Sequence, residues 1–518
     1  MLHNILRHIS LWFKTVFLDQ YEKKFIAYNA KIKLNSIDNN KYKKYILLQV
    51  VTDYYYLAYY KTLIEDKRFS SYQFVGWWPY VQQTVRKRFF ILEILHDFYN
   101  RLFYFFLFNK WSKLYRSIGI KKIEKVNLNL FDKKNFILQI PKTKVSLLQF
   151  KMRGINVGDL LYDTYLRFRA SPTIFLNDLF LLKLARKASM IIENLELLSK
   201  KYKISYFFTS YSSYIHHGVP VRFFLKKKIP VFSGKNNSQY NKKLSLNDYR
   251  HTENFLIYKK IAKKIKKNPP FLSFSEQNLK MRFANKKKQK SMMSYLDIDT
   301  YNVKKNKNFN LNVLKNIDGV LFLQDFYDSP HDWGKLSFDD FYHWTVYTLI
   351  LIKKYKLKIA VKPHPNCWSN SRDSVLIFNR LQKKFPEIVW IDKDFPNKII
   401  FKNIKYGISC TGTVLFELAY HGIKAISCGT HPGINFNFTI HAHTKFQYKY
   451  NLLNIKKIKL PSFSQKDLLV YNYLYYHCNM DAFKNAARLM NLKEIDFATS
   501  KGLEEFTTKY KNYIFVHK

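Results

Sequence analysis

Short apolar runs alternate with amphipathic stretches along most of the chain, a pattern that predicts strands joined by helices. Residues 45–51 and 72–77 read as strands with a helix over 53–64 between them, the βαβ opening of a Rossmann-like domain. A strand over 204–208, a loop over 209–214, a helix running to the basic triplet 226–228 and a strand over 229–232 repeat the theme. It returns at 319–323, 359–361, 406–408 and 425–427, with helices over 338–355 and 414–420 between. Strands this short and this apolar belong to parallel α/β sheets covered on both faces. A polar, lysine-rich stretch from 235 to 310 separates the two series and reads in part as linker. The expected division is a basic amphipathic helix over 1–20, a Rossmann-like domain with its linker over 21–310, and a second Rossmann-like domain with terminal helices over 311–518.

In open parallel sheets ligands sit outside the carboxyl ends of the strands, so the residues just after each apolar run are the candidate chemistry. The run 359–361 closes with Lys362, Pro363, His364 and Pro365, which holds the histidine backbone between two prolines. The run 406–408 leads into Ser409, Cys410, Thr411, Gly412 and Thr413, with Glu417 one helical turn past Thr413 on the same face. Hydroxyls, amides and a helix start suit a phosphate. A carboxylate at Glu417 suits ribose hydroxyls, and His364 facing the phosphate can stabilise or protonate a departing nucleotide. Ser409, Thr411 and Thr413 read equally as helix caps.

Further candidates lie at other strand ends. Asp328 and His331, in the loop after 319–323, are placed to touch substrate or orient His364. Asp159, Asp163 and Arg167 recur every four residues and share a helical face. Asp159 is the candidate base for an acceptor hydroxyl, or else a helix-start aspartate paired internally. Asp163, with Ser213, His216 and Arg222 after the strand 204–208, is a candidate for the acceptor side of a cleft. Adjacent histidines point in different directions on a helix, so His216 and His217 make a poor metal pair.

The KPHPN motif at 362–366, followed by S-x-T-G-T-x-x-x-E from Ser409 to Glu417, resembles the C-terminal half of bacterial surface-polysaccharide glycosyltransferases of the GT-B type. Capsule Kdo transferases and bacterial sialyltransferases carry a similar His-Pro motif and a similar Ser/Thr motif. The resemblance is clearest over 318–445. The segments GINVGDLLYDTYLR and SYSSYIHHGVPVRFFLKKKIPVFSG also look like those of capsule-locus proteins. What it implies is two Rossmann-like domains facing a central cleft, 21–310 as the acceptor domain, with a base in it, and 311–518 as the nucleotide-donor domain. Lys362, Pro365, Ser409, Thr411, Gly412, Thr413 and Glu417 would contact the donor. That donor would be a nucleotide-sugar, by resemblance a CMP-linked one, and the acceptor a capsular or lipopolysaccharide glycan. No metal or other cofactor is expected, because fixed dipoles and cations can stabilise the leaving phosphate. A polyol-phosphate or phosphonate transferase using a CDP-activated donor would use the same phosphate grip.

Composition adds a constraint. Of 518 residues 47% are hydrophobic, which excludes global disorder, and the net charge is +51. Lysines run through the whole length, without a zinc-finger spacing, an RNP-type motif or a P-loop, so no nucleic-acid partner is expected. An anionic inner-membrane surface, a lipid-linked or polysaccharide acceptor and other capsule-assembly proteins are the expected partners. A non-catalytic basic protein that binds the membrane or nucleic acid is the remaining alternative. Residues 2–17 form a basic amphipathic stripe that suits either a membrane surface or the protein's own core. No run reaches the ~18 apolar residues of a spanning helix. The four cysteines include no CxxC pair, which fits reduced thiols at a cytoplasmic location, peripheral to the inner membrane.

Overall fold

The computed structural model describes residues 15–31, 44–79, 90–126, 140–169, 171–234, 241–251, 258–283, 301, 309–364, 372–460, 462–477 and 495–517. Residues 1–14 of the expected N-terminal helix, Pro365, Cys367, Cys478 and the 285–290 lysine cluster lie outside them.

The N-terminal sheet is built from β1 (Tyr45–Gln49), β2 (Gln73–Trp78), β3 (Lys122–Lys125), β6 (Ile204–Thr209), β7 (Val231–Gly234) and β8 (Asn241–Leu244). A separate two-stranded hairpin, β4 (Lys151–Met152) with β5 (Ile155–Asn156), interrupts the series. The sheet order is β3-β2-β1-β6-β7-β8, parallel except for the last pair. Successive side chains of a strand face opposite sides. Leu47 therefore enters one core with Phe207 and Val231, while Ile46 and Leu48 enter the other with Phe208 and Phe232. Both faces are apolar, as the continuous hydrophobic runs require.

The second sheet comprises β9 (Gly319–Phe322), β10 (Ile359–Lys362), β11 (Tyr406–Ile408), β12 (Lys424–Ser427) and β13 (Ile440–His441), in the all-parallel order β10-β9-β11-β12-β13. The same alternation sends Val320 and Ala360 to one face and Leu321 and Val361 to the other. The strand order reverses between β1 and β6 in the first sheet and between β9 and β11 in the second. At such a reversal the connections leave in opposite directions and open a crevice.

Two segments cross the division read from sequence. The helices Tyr258–Lys266 and Pro269–Phe283, read as acceptor domain and linker, put Tyr258, Ile265, Leu279 and Phe283 into the second core. The last helix, Lys501–His517, returns to the first domain. There Phe497, Phe506 and Tyr510 share a core with Tyr55 and Tyr59, and Glu504 pairs with Lys24 at 2.7 Å.

The carboxyl ends of the two sheets face each other. Side-chain contacts bridge them, among them His331 to Asp163, Tyr162 to Asp340 and Lys144 to His343. The fold is α/β, with two Rossmann-like domains across a central cleft, the arrangement the resemblance implies. Among the described residues no helix is long and apolar enough to cross a membrane.

Candidate functional site

Both crevices at the strand-order reversals carry polar groups. In the first sheet, Gln49 at the end of β1 meets Thr209 at the end of β6. The Thr209 hydroxyl donates to Gln49 Oε1, His217 Nδ1 lies 2.9 Å from the same oxygen, and Gln49 Nε2 donates to the His216 carbonyl at 3.0 Å. In the second sheet, Gln324 follows β9 and Ser409 follows β11. Gln324 Nε2 donates to Ser409 Oγ at 2.9 Å, and that hydroxyl donates to the Phe322 carbonyl at 3.2 Å. Gly412 permits this contact, since a Cβ there would sit 2.9 Å from both Gln324 Nε2 and Ser409 Oγ.

The Ser/Thr loop divides by exposure. Ser409 is fully buried and its hydroxyl is spent inside the protein, so it is a support for Gln324 rather than a donor contact. Thr411 and Gly412 are half-buried and Thr413 is exposed. Thr413 precedes the helix Val414–Tyr420 with helical backbone and makes no side-chain cap bond, which leaves its hydroxyl to the crevice. The amides of Thr411, Gly412 and Thr413 donate to no acceptor among the described residues. Cys410 is buried with its Sγ 3.3 Å from that of Cys428, as a small core filler would be.

Two donor-side residues sit elsewhere than the sequence reading put them. Glu417 is buried, its Oε1 taken by Arg282 at 3.1 Å and its Oε2 by Asn397 Nδ2 at 3.2 Å. A buried carboxylate paired in this way supports the fold and is not open to ribose hydroxyls. Lys362 is also buried. It donates to the Phe395 carbonyl at 2.7 Å and to Asn397, and burial pulls its pKa down to about 8. Lys362, Asn397, Glu417 and Arg282 thus form one internal network that ties the end of β10 to three helices, Pro269–Phe283, Asn397–Asn403 and Val414–Tyr420, and fixes the chain just before His364. His364 itself is half-buried at the β10 end. Burial lowers its pKa, against the partial opposition of the Asp325 carboxylate, so its imidazole is neutral at pH 7.

The cleft face of the first domain is the helix Gly158–Arg169. It packs so closely on Leu147 that a Cβ at Gly158 would lie 1.7 Å from the Leu147 carbonyl oxygen. Asp159, at its start, is gripped at both oxygens by Arg222 at 2.6 Å, and Arg222 also donates to the Asn156 carbonyl and lies over the Tyr249 ring. Burial would raise the Asp159 pKa, but Arg222 outweighs it and holds the carboxylate below its ordinary range. Asp159 is therefore an ion-pair partner rather than a proton acceptor, and Arg222 is its clamp rather than an acceptor contact. One turn on, Asp163 faces the second domain. His331 Nδ1 donates to Asp163 Oδ1 at 2.6 Å, with the ring edge-on to Tyr162 at 4.8 Å. Burial pushes Asp163 up to about 6. Burial alone would lower His331, but the Asp163 carboxylate more than offsets it and raises the imidazole above its usual value. His331 Nε2 has no partner among the described residues and is the nitrogen left to the cleft.

The remaining candidates are distributed around this pair. Asp328 is open at the cleft surface, yet the surrounding protein and neighbouring Asp325 raise its pKa, with Arg167 opposing. Ser213 is buried at the start of the turn Tyr214–Gly218. His216 stacks on Tyr214 with its Nδ1 buried and without a partner among the described residues, and burial lowers its pKa to about 3. Tyr214, at φ 60°, is in the left-handed region, and Asp328 acts on it from across the cleft. Sequence reasoning passed over Gln324 and Asp325, although both follow an apolar run at a strand end. It also passed over Tyr162, Asp340 and His343, whose partners lie too far along the chain to be read. Among the described residues no three or more His, Cys, Asp or Glu side chains are grouped to hold a metal ion.

No protein-family model and no curated protein matches the chain. Similar solved structures include the β-Kdo 2,4-transferase KpsC of Thermosulfurimonas dismutans, at 11% identity and TM-score 0.32, covering 52% of this chain and 79% of that one. They also include the β-Kdo 2,7-transferase KpsC of the same organism, at 12% identity and TM-score 0.27, covering 55% and 81%. A third is the UDP-GlcNAc 2-epimerase of Methanocaldococcus jannaschii in complex with UDP-GlcNAc and UDP, at 11% identity and TM-score 0.27, covering 83% and 97%. Likeness at this level shows neither the reaction of this chain nor the role of any of its residues.

Proposed function

We propose that the protein is a glycosyltransferase that moves a sugar from a nucleotide donor to a hydroxyl of a capsular or lipopolysaccharide glycan at the cytoplasmic face of the membrane. The observation that carries this reading is the Asp163–His331 pair, which joins the two domains at the mouth of the cleft. A histidine held at Nδ1 by a buried carboxylate presents Nε2 as a base, and the carboxylate stabilises the imidazolium that forms.

On this reading the acceptor hydroxyl attacks the anomeric carbon, His331 Nε2 takes its proton, and the bond from that carbon to the phosphate oxygen breaks. The charge that develops on the leaving phosphate is met by the amides of residues 411–413 and the hydroxyls of Thr411 and Thr413. His364, neutral and at the end of β10, one strand beyond β9, donates an N–H to the same group. Asp163 is a positioning residue, as are Ser409, Lys362 and Glu417. Asp328 and Arg167 face the sugar across the cleft. A CMP-linked sugar is the donor we favour, on the motif resemblance.

The test is nucleotide release from CMP-, CDP-, UDP- and GDP-activated donors in the presence of a lipid-linked glycan. Release that needs the acceptor, with sugar gained by the glycan, is the expected result. CMP release with phosphate gained by the acceptor would instead make the protein a polyol-phosphate transferase. No release from any donor overturns the enzyme reading.

A further inference from the structure

The outer surface of the second domain carries a patch that neither the cleft nor the core uses. Two helices form it, Phe341–Lys354 and Lys445–Asn454. They are joined underneath by buried contacts: the Thr348 and Tyr448 hydroxyls lie 2.8 Å apart, and Tyr448 packs edge-on against Phe338. Their outward sides, unlike most helical surfaces, present large apolar groups. Phe446 is 78% exposed, Tyr450 57%, Ile350 47% and Tyr355 39%. Phe446 and Tyr450 are four residues apart and share one face of their helix. Lysines thread between the rings: Lys449 Nζ lies 5.8 Å from the Tyr355 ring centroid and Lys354 Nζ 5.7 Å from it. Neither 341–358 nor 441–459 contains an aspartate or glutamate, although both are rich in lysine.

We propose that this face rests on an anionic lipid bilayer. Three features favour a bilayer over a protein partner. Aromatic rings with polar tips interleaved with long amines match the headgroup boundary, where rings enter and ammonium groups reach the phosphates. The two segments contribute no carboxylate, and the acids that reach them, Glu387 at Lys353 and Asp318 at Lys456, come from elsewhere in the chain, so the complement of the patch is predominantly negative. The chain's lysine excess supplies the long-range attraction, and the rings decide which face lands. The proposal does not depend on the reaction assigned above. It does connect to the cleft, because the helix that begins there at Asp340, the acceptor of the Tyr162 hydroxyl, ends in the patch. At 14 residues that helix spans about 21 Å.

The experiment is co-sedimentation of the full-length protein with phosphatidylcholine vesicles, with and without phosphatidylglycerol, at low and high salt. Binding is expected only to the phosphatidylglycerol vesicles and should weaken as salt rises. Phe446→Ser with Tyr450→Ser, both at exposed positions, should weaken binding by about tenfold or more. Lys445→Glu with Lys449→Glu should cost about fivefold per lysine charge lost, and more for the reversal. The control is Lys263→Glu with Lys264→Glu, the same change of charge on the exposed side of the helix Tyr258–Lys266, and it should leave binding little changed. Equal loss in the control would mean that diffuse charge, not this face, does the binding, and it overturns the proposal. So does unchanged binding of the serine variant, or equal binding to neutral vesicles. A dimer that the serine variant dissociates would assign the face to a second copy of the chain and overturn the proposal as well.

Discussion

His331 and Asp163 are 168 positions apart in sequence and 2.6 Å apart in space, and the chemistry proposed here turns on that contact. Replacing His331 by Gln should lower turnover by roughly 10²–10⁴-fold, the range for a positioned base, with donor affinity largely kept. The pH profile separates this role from a structural one. Because Asp163 raises the His331 pKa, the unprotonated base is gained only above the ordinary histidine range, and the acid limb of kcat/KM should fall there. Asp163→Asn removes the negative charge, lowers the imidazole pKa, and should move that limb to more acidic pH while turnover drops. A limb that stays in place would remove His331 from the reaction. At Asp159 the expectation is different. Its partner Arg222 is buried, so Asp159→Asn leaves a cation without compensation and should destabilise the fold by about 3–5 kcal/mol in urea unfolding. The sign with pH follows from a lowered carboxyl pKa: the stabilisation is present above the unfolded-state value and is lost as pH falls through the folded one. Both Asp159 and Glu417 looked like available carboxylates in the sequence. Nothing local announced the arginines that occupy them, which lie 63 and 135 residues away.

Among the elements, the loop between β11 and the helix Val414–Tyr420 is where support and contact part company. Thr413→Val keeps size and branching but removes an exposed hydroxyl. If that hydroxyl meets a phosphate, nucleotide affinity should drop by roughly 10–100-fold, as expected for a bond of about 1.5–3 kcal/mol to a charged group. Ser409→Ala should instead cost about 1 kcal/mol of stability, because the bond it removes is internal, with a smaller effect on affinity. Calorimetric titration with CMP, beside thermal unfolding of each variant, checks both. The strands leading to these loops were legible because burial on both faces leaves a continuous apolar run, as in Ile359–Lys362 and Tyr406–Ile408. β3 was not, since its sequence KIEK lies at a sheet edge and needs no apolar alternation. The helix Tyr258–Lys266 was hidden in a different way. Its buried stripe of Tyr258, Ala262 and Ile265 has helical spacing, but lysines fill the positions between and give the composition of a linker.

For the whole molecule, the two carboxyl edges are held together by the cleft contacts and by the last helix, which crosses back to the first domain. The cleft was legible as a consequence of parallel sheets, because strand-end loops of both domains must point somewhere open to ligand. The return of the last helix was not legible, since pairing of Glu504 with Lys24 spans 480 residues. Deleting 495–517 should expose Tyr55 and Tyr59 and destabilise the first domain while the second keeps its core. Amide exchange would show this as lost protection in the helix Tyr54–Ile64 and retained protection in β9–β12. Uniform loss across both domains would mean that they unfold as one unit.

That returning helix also bears on how the chain is made. Domains generally fold in order of emergence from the ribosome. Here Phe497, Phe506 and Tyr510 complete the core around Tyr55, yet they are synthesised after the whole second domain. At ribosomal speeds the delay is on the order of tens of seconds. Throughout it, the nascent first domain presents an unfilled aromatic groove. The groove closes only when residues 497–510 have emerged, so chaperone occupancy during synthesis should concentrate on the Tyr54–Ile64 surface and end with the arrival of the helix Lys501–His517.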